Sequence, residues 1–167
     1  MGVYWGKGMG KHRMVSEKAS TVKIRVYLDN CCFNRPFDEP LTPNVPLEAA
    51  AKTYVQRQIR AGKIELAWSY VLDHENADNP HSARKSAIAS WKHLAIVDIS
   101  EDEEVIRMAH AVAKRGIRNM DALHIACAIK AKCDYFLTTD KRILRKWVGG
   151  ISLLNPLDYV PKVEGRA

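Results

Sequence analysis

Four carboxylates in this 167-residue chain stand where acid chemistry would use them: Asp29, Glu75, Asp121 and Asp140. Asp29 directly follows the apolar residues Val26, Tyr27 and Leu28, and Asp140 follows Tyr135 to Thr139 in the same strand-then-acid order. Glu75 lies just past the run WSYVL, and Asp121 falls in the first turn of an alanine-rich stretch that feeds the Asp140 run. Neighbouring strands are about 4.8 Å apart, so acids at adjacent strand ends can share an ion. Carboxylates that converge in a partly dehydrated cleft repel one another, and a hard divalent cation with oxygen ligands, Mg²⁺ or Mn²⁺, relieves the repulsion. Such an ion can orient a water for in-line attack on phosphorus and stabilise the leaving oxygen, which is phosphodiester hydrolysis. Each acid taken singly also fits a structural role: Asp140 as a helix cap, Asp121 offsetting a helix dipole, Glu75 on a solvated face. Four at one edge favour chemistry.

The elements that must position them alternate. Strands are expected over residues 24–28, 64–72, 95–99, 134–138 and 151–154, and helices over 47–61, 119–132 and 141–147. One or two further helical pieces, broken near Pro80, fill the polar stretch after Leu72. Ser100 with Glu103 reads as a capping box opening a helix to about Arg115. Gly62 and Gly116 stop the helices before them. The proline-rich loop after Cys32 blocks regular structure, and the stretch after Tyr159 carries no signal. Strands alternating with helices imply a three-layer α/β/α sandwich with a mainly parallel sheet, whose ligands bind beyond the carboxyl ends of the strands where strand order reverses.

Composition sets the outer limits. Hydrophobic residues make up 47% and charged residues 27%, the make-up of a globule with one core. No apolar run approaches the roughly 18–20 residues that span a bilayer, and the first residues lack the apolar stretch of a signal peptide. A cytoplasmic address is therefore expected, with the four cysteines reduced and mostly buried. Net charge is +7, of which +5 lies in the first 25 residues through Lys7, Lys11, Arg13, Lys18, Lys23 and Arg25 against Glu17. Such a basic arm suits a polyanionic partner. The expected organisation is a basic leader over residues 1–22, a domain over 23–160 and a tail over 161–167.

Several residues resist tempting readings. HENAD, containing His74 and Glu75, lacks the second histidine of a zinc-protease helix. His124, one turn after Asp121, suits packing better than general-base work, and Trp68, Trp91 and Trp147 suit core or dimer contacts better than base stacking. Asp73 is an alternative to Glu75 if its strand continues that far. No glycine-rich phosphate loop supports a nucleotide pocket.

The segments VYLDN, SYVLDHE, RNMDALHIACAIKAKCDYFLTTD and KRIL together resemble a PIN-domain nuclease, from about Lys23 to Val160, and LDNCCFNRPFD is similar to the first loop of one PIN subgroup. The resemblance implies a fold like that of flap-type nucleases and an acidic cluster that cuts RNA with Mg²⁺ or Mn²⁺. It implies Asp29, Glu75, Asp121 and Asp140 as the metal-binding, catalytic acids, Asn30 orienting Asp29, and Thr138 or Thr139 bonding the metal waters. Arg35, Arg84 and Lys85 are candidates for phosphate neutralisation. By the same analogy the chain is a homodimeric toxin with an antitoxin partner. The competing expectations are a catalytically weak RNA-binding or scaffold protein and a small-molecule binder or phosphoacceptor.

Overall fold

The computed structural model describes residues 22–33 and 45–165. Residues 1–21 of the expected leader, and Arg35, lie outside the described residues. Strands β1 (Arg25–Leu28), β2 (Glu65–Ser69), β3 (Ala95–Ile99), β4 (Tyr135–Leu137) and β5 (Ser152–Leu154) form a five-stranded, wholly parallel sheet in the order β3-β2-β1-β4-β5. Helices α1 (Val45–Arg60), α2 (Tyr70–Ala77), α3 (Ser82–Ala89), α4 (Glu103–Ala113), α5 (Asn119–Lys130), α6 (Lys141–Leu144) and α7 (Pro156–Glu164) make the connections. The α/β sandwich expected from the sequence is the observed class.

The central strand β1 is buried on both faces, with Val26, Tyr27 and Leu28 at most 1% exposed. Its register places Val26 beside Leu66 on one side and Tyr135 on the other. Chain order runs outward from β1 to β2 and β3, then jumps back across β1 to β4 and β5. Right-handed crossovers therefore leave in opposite directions on the two sides of β1, opening a crevice between the carboxyl ends of β1 and β4. Tyr27 and Phe136 stack beneath it, with ring centroids 5.5 Å apart. Ala122, Ala126 and Ala128 of α5 are essentially unexposed, and their small side chains bring that helix close to its neighbours.

Several boundaries differ from the sequence expectation. The second strand stops at Ser69, and Tyr70–Leu72 turn into α2, so Glu75 sits on a helix rather than just beyond a strand. Asp73 pairs with Trp68 Nε1 at 2.9 Å and Lys92 at 2.6 Å, which removes it as an alternative to Glu75. The cap of α4 is Asp102, whose carboxylate accepts from Val105 N at 2.9 Å; Ser100 lies too far upstream. Helix α7 was not anticipated. Asn155 caps it, accepting from Leu157 N, with Pro156 at the start where no amide hydrogen is needed, and Tyr159 buries its ring edge-on to Tyr135. Trp68 and Trp91 are core residues and unavailable as dimer contacts, while Trp147 is 73% exposed. Lys23 and Arg25, counted with the basic arm, serve the fold: Lys23 caps the Gly62 carbonyl and Arg25 pairs with Glu65 at 3.0 Å.

Two helices end by the same hydrogen-bond motif with different residues. Gly62 (φ +65°) donates to Ile59 O while Lys63 donates to Gln58 O, closing α1. At the end of α5, Lys132 donates to Ile129 O and Cys133 to Ala128 O, which forces Lys132 to φ +55°. A side chain in that region is strained, whereas glycine is not. Lys132→Gly is expected to raise stability by about 0.5–1 kcal/mol, read as a higher urea midpoint with an unchanged slope.

Candidate active site

Asp29 leaves the carboxyl end of β1, and its amide donates to Leu137 O of β4 at 3.0 Å, tying the two strand ends together. Thr138, fully buried, donates its hydroxyl to Asp29 Oδ2 at 2.6 Å and accepts the Asp140 amide at 3.0 Å. One threonine thus fixes both strand-end acids. Thr139 donates to Cys31 Sγ at 3.4 Å. Glu75 arrives from α2, and its carboxylate comes within 4.8 Å of an Asp29 oxygen and of His124 Nε2.

A buried relay holds Glu75. His124 Nε2 lies 3.0 Å from Glu75 Oε2, and its Nδ1 lies 2.8 Å from the Tyr27 hydroxyl, which is 2.6 Å from Ser69 Oγ. An ionised carboxylate only accepts, so the proton between them sits on His124 Nε2. Burial pushes the Tyr27 phenol well up, keeping it protonated and able to donate to Nδ1. The proton that anchors Glu75 lies on the His124 nitrogen nearest the acids, so in this arrangement His124 holds Glu75 in place. The hydrogen bond from His124 is the main cause that holds the Glu75 carboxyl below its ordinary value, assisted by Asn30 and opposed by burial. Asn30, expected to orient Asp29, lies close enough to Glu75 to help lower its carboxyl.

Asp121 and Asp140 differ sharply. Burial first, then the charges of Asp29 and Asp140, push the Asp121 carboxyl above its ordinary value. Asp140 caps α6 through the Arg142 amide at 2.8 Å and is gripped by the Arg142 guanidinium at 2.5–3.2 Å, which holds its carboxyl down. Asp140 thus has a basic partner in Arg142, and Glu75 accepts a hydrogen bond from His124. Asp121 beside Asp29 retains the unrelieved repulsion that a divalent cation would remove, and two or three carboxylates with Thr138 behind them suit Mg²⁺ or Mn²⁺ by donor type. Of the expected phosphate-binding residues, Arg84 and Lys85 lie on α3, where Lys85 Nζ is bound to Ala77 O at 2.7 Å. Arg118, Arg142 and Lys146, beside Asp121, were missed by the sequence reading.

The sequence profile of the PIN domain matches residues 59–147. The chain belongs to the PIN-domain family. No curated protein matches it significantly. Among solved structures, the chain is similar to VapBC2 from Rickettsia felis bound to a promoter DNA fragment, at 14% identity and a TM-score of 0.51, covering 79% of this chain and 98% of that one. It is also similar to DNA-bound VapBC from Salmonella typhimurium, at 12% identity and a TM-score of 0.52, covering 80% and 98%. At such identities the likeness concerns the fold. In this PIN domain the described helices include none long and apolar enough to cross a membrane.

The opposed shifts of Glu75 and Asp121 predict opposed pH behaviour. Glu75, depressed on folding, stabilises the protein above the unfolded value of about 4.3 and loses that contribution as pH falls through the folded value. Asp121, raised on folding, destabilises once pH exceeds the unfolded value of about 3.9, most fully above its folded value. Without added metal, Glu75→Gln should lower the unfolding free energy at pH 7 and less so at pH 3. Asp121→Asn should raise it at pH 7 and leave it nearly unchanged at pH 3. Urea unfolding of both variants at the two pH values checks the signs.

Proposed function

We propose that this PIN domain is a metal-dependent endoribonuclease that hydrolyses RNA phosphodiester bonds, acting in the cytoplasm as the homodimeric toxin of a type II toxin–antitoxin pair. The observation that carries the chemistry is Asp121, pushed up by burial and by Asp29 and Asp140 at the crevice between β1 and β4. Membership in a nuclease family supports hydrolysis, and the VapBC complexes of similar fold support an antitoxin partner. The free state of all four cysteines agrees with a reducing compartment. Exposed Trp147 offers apolar surface to a second copy.

Asp29 and Asp121 would hold Mg²⁺ or Mn²⁺, with Glu75 and Asp140 completing the acidic set. A bound ion of this kind supplies an activated water and positive charge for the leaving oxygen. Thr138 keeps Asp29 from turning away by donating to Oδ2, and Ser69, Tyr27 and His124 keep Glu75 aimed at the crevice. Arg142 holds Asp140 ionised. Cationic side chains beside Asp121 would neutralise the phosphates flanking the cut.

That same Arg142 grip favours a second reading, a catalytically weak RNA-binding or scaffold protein, because a carboxylate committed to a guanidinium and a helix cap is a poorer ligand. Cleavage of a mixed pool of single-stranded and structured RNAs decides between them. The nuclease should require Mg²⁺ or Mn²⁺, stop with EDTA and leave 5′-phosphate and 3′-hydroxyl ends, since water is the nucleophile. Asp121→Asn should cut at least 100-fold more slowly. Equal cleavage by both proteins, or 2′,3′-cyclic phosphate ends, would transfer the assignment to the second reading.

A further inference from the structure

Beside Asp121 lies a cavity of about 90 Å³ bordered by Gly116, Arg118, Asp121, Arg142 and Lys146. It has room for several waters or one tetrahedral oxyanion. Its charge differs from that of the acid cluster it adjoins: three cationic side chains face the carboxylates of Asp121 and Asp140, leaving an excess of positive charge even without a metal ion. Arg142 is committed to Asp140. Among the described residues, Arg118 and Lys146 have no side-chain hydrogen bond or ion pair of their own, so their donors remain available. Like-charged groups lining one small cavity repel, and an anion between them is the natural complement.

The backbone is shaped to bring them together. Gly116 ends α4 at φ +80°, a conformation that favours glycine, and a Cβ there would lie 3.0 Å from Lys146 Nζ. Glycine therefore makes the turn and leaves space for the Lys146 ammonium group beside it. Arg118 sits immediately before α5, the helix that carries Asp121, and Lys146 follows α6, the helix capped by Asp140. The cations are thereby fixed to the same two elements as two of the acids.

We propose that this cavity is a phosphate subsite, which takes an internal phosphodiester of a single RNA strand next to the bond held at the acid cluster. The assignment rests on the ribonuclease reading for its ligand. Arg118 and Lys146 bind the phosphate oxygens, Gly116 makes room for them, and Arg142 divides its fork between Asp140 and the cavity. The subsite sets the position of the strand along the crevice and carries no base preference.

The test is binding of a fluorescein-labelled 12-nucleotide single-stranded RNA in EDTA, where metal-dependent hydrolysis is stopped, measured by anisotropy from low to moderate salt. Arg118→Ala and Lys146→Ala are each expected to raise Kd about three- to tenfold at low salt and to lower the log–log salt slope by about 0.7, the loss of one phosphate contact. Lys146→Arg should restore the slope, and Arg107→Ala, an exposed change on α4, should alter neither quantity. The losses should be the same for 5′-hydroxyl and 5′-phosphorylated RNA; a loss confined to the 5′-phosphorylated strand would overturn the internal phosphodiester in favour of a terminal phosphate. Unchanged slopes in Arg118→Ala and Lys146→Ala overturn the subsite even where the wild-type protein cuts RNA with Mg²⁺. Altered slopes in a wild-type protein that cuts nothing uphold the subsite and remove the nuclease reading instead.

Discussion

Like charge gathered at the carboxyl ends of β1 and β4 is the constraint around which the functional half of this protein is arranged. Parallel strands with crossovers departing in opposite directions leave a crevice at that place whatever side chains line it. Filling it with Asp29, Asp121 and Asp140 costs stability, visible in the raised Asp121 carboxyl. The surroundings manage the cost residue by residue. Thr138 takes one oxygen of Asp29, Arg142 neutralises Asp140, and His124 donates a hydrogen bond to Glu75. Asp121 alone is left with repulsion as its leading neighbour interaction, and its first-turn position on α5 gives only modest compensation from the helix dipole.

The relay from Ser69 through Tyr27 and His124 to Glu75 shows how the core reaches into the site. Tyr27 is at once a fully buried strand residue, a stacking partner of Phe136 and a hydrogen-bond donor to the histidine that aims an acid. Polar groups this deeply buried are costly unless every partner is present, so the relay specifies a single arrangement of α2 and α5 around β1. The orientation of Glu75, carried on α2, is consequently decided by residues on β1, β2 and α5.

Much of this was legible in the sequence, and what was not has physical reasons. The strand-then-acid pattern at Asp29 and Asp140 is local, and β1, β3 and the body of α5 fall where periodicity places them. The run WSYVL is equally apolar as a buried strand or as the start of a buried helix, so the turn at Ser69 depended on packing that periodicity cannot register. Asp102 and Ser100 are both good caps, and only the backbone decided between them. Tyr27, Ser69 and His124 are up to 97 residues apart in sequence, and nothing local marks them as partners. Arg118, Arg142 and Lys146 were hidden in a different way: each looks like an ordinary surface charge until α4, α5 and α6 bring them to one cavity beside an acid. Fold class and PIN membership emerged from the sequence because both reside in short contiguous segments.

Electrostatics also explains why His124, the most deeply buried titratable group of the cluster, is assigned to positioning and not to ligation. Its Nε2 proton serves Glu75, leaving the site with oxygen donors alone, and oxygen donors select hard ions. The most direct measurement is anomalous diffraction at the manganese edge from crystals of the full chain soaked in Mn²⁺. The account predicts a peak within ligand distance of carboxylate oxygens from both Asp29 and Asp121, with the contact between His124 and Glu75 intact. No peak near either aspartate, or a peak bonded to His124 Nε2 with Glu75 released, would contradict it.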